Sequence, residues 1–384
     1  MNILLKNKIA RVGTDAFDPT RYTVGEEIKA PDAIMVRSAS LHNEGFSDNL
    51  LAIARCGAGV NNIPTEACAE RGIVVFNTPG ANANGVKELA IAALLLASRD
   101  IVGGIEWART LEIDVAGAVE KGKSRFAGGE LGGKTLGVIG LGAIGGMVAN
   151  AAVHLGMEVL GYDPFLTVNA AWSLSRAVHK AASYEDVYRS ADYITLHVPA
   201  TPTTRGMINR ETISMMKNGV RIVNLARADL VDPDAIRDAL KVGRVAAYVT
   251  DFPTEGTQGV PGILSIPHLG ASTSESEDNC AVMAAHQLDE YLTSGNIRNS
   301  VNFPSVSLPF TDGTHRICVL HRNVPNILSH ITSMISAEGI NIENLANGSR
   351  GDYAYTIVEV LSLPSEQALT RIAENDSILR VRAL

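Results

Sequence analysis

The stretch KTLGVIGLGAIGGMVANAAVHLGMEVLGYDP, residues 134–164, constrains the fold more than any other part of the chain. An apolar run ends in Gly140-x-Gly142-x-x-Gly145, a helical pattern follows, and a second apolar run ends on Asp163. A strand that turns sharply into a helix and returns as a strand is βαβ logic, which commits the flanking chain to a parallel sheet covered by helices. The glycines have separate tasks. Gly140 makes the tight turn, Gly142 lets backbone approach a pyrophosphate, and Gly145 packs helix on strand. The helix amino end, with Ala143 and Ile144, faces negative charge. Asp163 stands close to the spacing of about 20 residues expected for an acid on a ribose. Its carboxylate repels a 2′-phosphate, and PFLT beyond it carries no arginine, so the site favours NAD over NADP. A bare strand-to-helix turn would not need the acid.

At 384 residues the chain exceeds what one core organises, and two or three domains are expected. From Ala33 the pattern reads AIMV, a helix near Ser47, LAIARC, a helix from Pro64, GIVVFN, and a long helix through Leu96. A Gly- and Lys-rich loop, Lys121 to Gly133, precedes a fresh α/β series: TLGVIG, EVLGYD, YITLHVP, VRIVNLA, VAAYVT and GILSIPHLG. Ser274 to Leu292 reads as one helix. The fold class is therefore α/β, with one doubly wound parallel-sheet unit inserted into another. Asn299 to Gly313 carries two prolines and no periodicity, as a linker does. Beyond it, strand 317–320, helix 325–338, strand 341–345, strand 353–361, helix 365–374 and strand 378–382 give βαββαβ, the ferredoxin-like order.

A net charge of −8 and a pI near 5.6 argue against nucleic acid as the main partner. The longest apolar block, Leu89 to Ala97, is far shorter than the roughly 20 residues of a membrane helix, and Met1 begins no signal-peptide layout. Cys56, Cys68, Cys280 and Cys318 are widely spaced, which suggests neither a metal site nor disulfides. A cytoplasmic protein is expected.

Ligands of an open parallel sheet collect at the carboxyl ends of its strands. There stand His197 after YITL, Arg227 after VRIVNLA, Asp251 and Glu255 after VAAYVT, and His268 after LSI. Nicotinamide chemistry on a hydroxy acid needs a cation for the carboxylate, a group that exchanges the hydroxyl proton, and a tuner for that group. Arg227, His268 and Glu255 match these roles. Alternatives stand beside each: Arg227 in a salt bridge with Asp229 or Asp232, His268 as a satisfied loop residue, His197 as strand-end packing or a cofactor contact.

LGGKTLGVIGLGAIG, HVPATPTTRGMIN, NLARADLVD, DFPTE and IPHLGAST resemble, in order, the signature blocks of the D-isomer-specific 2-hydroxyacid dehydrogenases. The blocks span most of residues 30 to 300, and the last unit resembles an ACT domain, a small ligand-binding regulatory module. The resemblance implies a split substrate-binding domain (1–86 and 272–303), an inserted Rossmann NAD-binding domain (87–271), a linker (304–313) and an ACT domain (314–384). It implies NAD-dependent oxidation of 3-phospho-D-glycerate to 3-phosphohydroxypyruvate, the first step of the phosphorylated route to L-serine, with Arg227, Glu255 and His268 catalytic. Cofactor contacts would add His197, Val198, Pro199, Thr204, Leu225, Ala226, Asp251, His268 and Gly270 to the glycine-rich turn. Arg37-Ser38 and Gly57 to Asn62 match the family's substrate loops, so Arg37 would meet the phosphate and the backbone of Gly57, Ala58 and Gly59 the carboxylate; without the resemblance, Arg37 is equally an ordinary surface arginine. Lys121, Lys123 and Arg125 read as solvated loop charges, with added positive potential for the substrate as the alternative.

His321, Asn323 and Asn341 match the ACT positions that bind an amino-acid effector, here L-serine, and a homodimer or homotetramer is implied. Other family substrates are 2-hydroxyglutarate, glycerate or lactate, and the same fold also serves as a NAD-sensing corepressor. Four positions depart from the family pattern: Ala228 follows the arginine where glycine is usual, Thr250 replaces an aspartate with Asp251 one place later, Ser124 replaces a tryptophan, and Asn326 replaces a glycine.

Overall fold

Two short strands escape the hydropathy pattern, and they organise the first sheet. Asn2–Lys6 (β1) and Thr23–Gly25 (β2) join Ala33–Val36 (β3), Ala52–Arg55 (β4) and Val74–Phe76 (β5) in a parallel sheet of order β2-β1-β3-β4-β5. β3 is buried along its whole length, as a strand covered on both faces must be, whereas β2 is three partly exposed residues with little periodicity to read. The computed structural model describes residues 1–309, 311 and 313–384. They divide into two compact units, Met1–Asn82 with Glu277–Leu384, and Ala83–Ser276. The breaks fall at 82/83 and 276/277 rather than at 86/87 and 271/272. The helix Ala83–Ser98 enters the second unit whole, so the first break precedes its first turn.

In the first unit the helix Ser274–Ser294 packs Ala281, Ala284, Leu288 and Tyr291 into one core with Ile3, Met35 and Phe76. The helix expected near Ser47 does not form. Residues 41–50 are successive turns, Glu44 N–H bonding to Leu41 O and Leu50 N–H to Ser47 O, because Gly45 and the Ser-Asp-Asn triplet favour turn backbone over helix.

His315–Arg322 (β13), Ile342–Arg350 (β14), Tyr353–Val360 (β15) and Ile378–Ala383 (β16) form an antiparallel sheet of order β14-β15-β13-β16. With the helices Ile327–Ser336 and Glu366–Ala373 this is the expected βαββαβ unit. One sheet face carries Ile317, Val319 and Val358 against those helices. The other, through Cys318, Leu320, Tyr355 and Ile357, belongs to the same core as Phe76, Tyr291 and Phe303. The tail is thus part of the first unit, and the segment before it is more than a tether. Phe303 and Val306 are buried, and Val306 pairs with Ile297. Of the expected linker 304–313, Phe310 and Asp312 lie outside the described residues. Arg316, 1% exposed, fastens this junction: it donates to Glu359 Oε1 (2.9 and 2.7 Å) and to the carbonyls of Ser294 (2.7 Å), Leu308 (2.9 Å) and Pro309 (2.7 Å).

The second unit is a seven-stranded parallel sheet: Thr135–Ile139 (β6), Glu158–Tyr162 (β7), Val178–Lys180 (β8), Tyr193–Leu196 (β9), Val220–Asn224 (β10), Val245–Thr250 (β11) and Ile263–Ser265 (β12). Its order, β12-β11-β10-β9-β6-β7-β8, is doubly wound and reverses between β6 and β9. β8, three residues of which two are polar, carried no sequence signal. The expected Lys121–Gly133 loop instead begins inside the helix Val115–Gly122 and a 3₁₀ turn, Lys123–Phe126. Among the described residues no helix is long and apolar enough to cross a membrane.

Candidate active site

The reversal between β6 and β9 opens the crevice where an α/β sheet takes its ligand, and the glycine-rich turn lies there. Gly140 has φ +90°, and a Cβ on it would stand 2.5 Å from the His197 carbonyl oxygen. A Cβ on Gly145 would come within 1.9 Å of Gly140 O, so helix and strand meet too closely for any side chain. Gly142 differs. A Cβ there meets nothing within 4 Å, which leaves a cradle open to a ligand. Gly142 caps the helix Ala143–His154 without a side-chain hydrogen bond, so the first backbone N–H groups remain available to an anion. Asp163 accepts from Leu141 N–H (2.9 Å) and Phe165 N–H (2.8 Å), which ties the turn to the end of β7 and leaves lone pairs for a ribose diol. These features fit a dinucleotide.

Across the crevice, Thr195 Oγ1 bonds His197 Nε2 at 2.9 Å. Desolvation pushes the His197 imidazole down to about 4, so it is neutral near pH 7 and serves as packing rather than as an acid or base. Val198 and Pro199 continue into a loop that Thr204 closes, donating to Pro199 O (2.6 Å) while accepting from Thr201 N–H (2.8 Å).

Arg227 is exposed and its Nη1 donates to Ala226 O at 2.6 Å. Asp229 pairs with Arg205 at 3.0 Å and Asp232 caps the helix Pro233–Lys241, so neither carboxylate takes Arg227. Among the described ion pairs the guanidinium has none. The loop that presents it, Leu225 and Ala226 included, is built by the buried Asn224, a residue sequence reasoning passed over. Asn224 Oδ1 accepts from Ala226 N–H (3.1 Å) and Arg227 N–H (3.4 Å), and its Nδ2 donates to Arg227 O (2.9 Å) and the Tyr248 hydroxyl (3.2 Å). The available signal was an amide closing an otherwise apolar strand. Ala228 opens a 3₁₀ turn and is not among the positive-φ residues, so glycine is not needed there.

His268 is exposed, its ring 4.7 Å from that of Phe252 in a tilted stack. Glu255, expected to hydrogen-bond it, is exposed and makes no hydrogen bond or ion pair with it among the described contacts. The loop from Asp251 turns at Thr254 and Thr257, whose side chains bond back on the chain and direct Glu255 to solvent. Asp251 is instead the buried acid, and Gly270 lies beside it.

In the first unit, Arg37 follows β3 next to that sheet's own reversal, between β1 and β3, and pairs with Glu277 at 2.5 Å. Asn7, just past β1, accepts from Ser38 N–H (3.1 Å) and Ala39 N–H (2.5 Å). Gly57, Ala58 and Gly59 follow β4; Gly57 O accepts from Thr78 N–H (3.1 Å) and Ala58 O from Asn77 Nδ2 (2.6 Å). Arg55 was not anticipated. Its Nε donates to Arg37 O (3.1 Å), and a Cβ on Gly57 would meet its Nη1 at 1.9 Å, so two guanidinium groups flank this crevice.

The tail departs from expectation at one position. His321 is buried, its Nδ1 on Arg322 O (2.8 Å) and its Nε2 on Thr356 Oγ1 (2.9 Å), so both nitrogens are engaged within the sheet and unavailable to an effector. Asn323 donates to Gly351 O (3.1 Å) and Asn341 to Glu343 (2.9 Å), both at the surface. Asn326 adopts φ +69°, the left-handed backbone a glycine would take without strain.

Residues 91–270 match the family model described as the NAD-binding domain of D-isomer specific 2-hydroxyacid dehydrogenases. A D-3-phosphoglycerate dehydrogenase of Haemophilus influenzae is 32% identical over 349 residues, covering 87% of this chain and 81% of that protein. Another, of Methanocaldococcus jannaschii, is 38% identical over 296 residues and 75% of this chain, and the chain spans only 55% of its length. A crystal structure of NAD⁺-bound 3-phosphoglycerate dehydrogenase from Entamoeba histolytica superposes with a TM-score of 0.60 at 26% identity, over 79% of this chain and 98% of that one.

Proposed function

The chain belongs to the D-isomer-specific 2-hydroxyacid dehydrogenases, and from that premise we propose that it oxidises 3-phospho-D-glycerate to 3-phosphohydroxypyruvate, opening the phosphorylated route to L-serine. The observation that carries the reading is Arg227: an exposed guanidinium at a strand end, held by Asn224, with no carboxylate among the described ion pairs. A planar fork so placed grips an organic carboxylate and polarises the adjacent C2 oxygen. His268 takes the hydroxyl proton as the C2 hydrogen departs with its electron pair. NAD, held by the Gly140–Gly145 turn and Asp163, supplies the hydride acceptor. Glu255, Asp251 and Gly270 belong to the same loops.

For the phosphate, Arg37 and Arg55 supply two cations beside Ser38 and the Gly57–Gly59 backbone, a charge that a methyl group would not call for. Glu277 occupies Arg37 in this structure, so a phosphate would have to displace that partly exposed ion pair. An L-serine effector would be met by Asn323 and Asn341. Dimerisation is supported by the helices Ile101–Ala108 and Val115–Gly122, which bury no residue and expose Ile105 and Val115, and by the exposed Ile113 between them; tetramers would need the tails as well. Four buried free thiols suit a reducing, cytoplasmic compartment.

The test is initial rates with phosphorylated and unphosphorylated 2-keto acids against NADH and NADPH. Preference for 3-phosphohydroxypyruvate with NADH supports the reading, and faster turnover of lactate- or glutarate-type keto acids would overturn it.

A further inference from the structure

The strands on either side of β3 and β4 end alike. One residue past β1 stands Asn7, and one residue past β5 stands Asn77. Each reaches across to the loop that follows the adjoining strand. After β3, Asn7 Oδ1 accepts from Ser38 N–H (3.1 Å) and Ala39 N–H (2.5 Å). After β4, Asn77 Nδ2 donates to Ala58 O (2.6 Å), and its neighbour Thr78 donates its N–H to Gly57 O (3.1 Å). Asn62 braces one loop against the other by donating to Ala39 O at 2.8 Å. Asn7 does its part at φ +72°, left-handed backbone that strains a residue with a Cβ and persists only where the surroundings hold it.

The two loops are left with different groups to offer. A trans peptide sends its C=O and N–H to opposite sides. With the carbonyls of Gly57 and Ala58 drawn to Thr78 and Asn77, the N–H groups of Ala58 and Gly59 turn the other way, and neither has an acceptor among the described residues. After β3 the case is reversed. Both N–H groups are taken by Asn7, and that loop offers the Arg37 guanidinium and the Ser38 hydroxyl instead.

We propose that Asn77 is the positioning residue for the carboxylate that every 2-hydroxy acid carries, and Asn7 the positioning residue for the group on C3 by which those acids differ. This rests on the loop assignments of the reading above, and not on which acid is preferred. Asn77 sets affinity for all substrates alike, and Asn7 sets the choice among them.

The full chain is assayed with NADH against pyruvate, hydroxypyruvate and 3-phosphohydroxypyruvate. Asn77→Asp keeps the shape but cannot donate. It is expected to raise KM about 10-fold for every keto acid that the wild type reduces, with kcat and the preference among acids within about 2-fold. Asn7→Gly takes the same backbone without strain, which guards the fold, and loses the acceptor. It is expected to lower about 10-fold the kcat/KM ratio of the best C3-substituted acid over pyruvate, with KM for pyruvate within about 2-fold. Wild-type KM values in Asn77→Asp, or a preference ratio that moves in Asn77→Asp as much as in Asn7→Gly, overturns the proposal. Which acid the wild type prefers is read from the same assays and bears only on the function proposed above.

Discussion

Arg316 offers the most exacting test of how the C-terminal sheet is held. Replacing it with methionine keeps the volume but leaves Glu359, itself fully buried, with a charge answered by Asn344 Nδ2 at 2.9 Å. It also strips a donor from the carbonyls of Ser294, Leu308 and Pro309. Breaking one side of a buried pair costs about 3–5 kcal/mol, and an unsatisfied carbonyl about 1–3 kcal/mol, although the terms overlap. Arg316→Met should therefore destabilise the first unit by at least about 4 kcal/mol. Glu359→Leu added to it should recover a large part, because exchanging both charges for apolar groups is often neutral. Hydrogen exchange of β13 and β15 in the full chain reads the effect locally. Both tryptophans, Trp107 and Trp172, lie in the second unit, so their fluorescence serves as an internal control. Unchanged protection in Arg316→Met, or a double variant worse than the two singles summed, would refute the reasoning.

Gly145→Ala should lower the melting temperature of the second unit, by about 3 kcal/mol in stability, whereas Gly142→Ala should fold normally and lose NAD affinity; tryptophan-monitored melts and cofactor titration separate them. Asn224→Ala should slow kcat/KM roughly 10- to 100-fold, about 1–3 kcal/mol, through a slackened Arg227 loop, with NAD binding little changed in the same titration. His268→Ala should reduce turnover roughly 10²- to 10⁴-fold in steady-state assays while leaving cofactor affinity intact. His197 titrates below its ordinary value, so the unfolded chain binds its proton first as pH falls. Its contribution is complete above about 6.5 and should decline progressively towards 4, a loss that Thr195→Val would alter in pH-dependent melts.

The glycine-rich turn was legible because each glycine answers a local need: φ +90° at Gly140, contact at Gly145 and clearance at Gly142. Arg227 could be read as a site residue because a charge at the end of an apolar strand is conspicuous. Asn224, Arg55 and Glu277 could not, since each acts through a neighbour that is close only after folding. Glu255 and His268 make no hydrogen bond among the described contacts for a related reason: sequence places both at strand ends, but the Thr254–Thr257 turn decides where the carboxyl points. β2 was missed because a three-residue strand lacks a period, and the tail seemed detachable because proline-rich chain resembles a tether even when Phe303 is buried.

That last point bears on how such a chain can change. With Tyr355 and Ile357 seated among Phe76, Tyr291 and Phe303, the final seventy residues are not a cassette to be swapped or trimmed. Cutting them away would leave an oily scar on the remaining half of the unit. Conversely, whatever deforms the antiparallel sheet also deforms the strand and helix packed against it, with no joint in between to absorb the message.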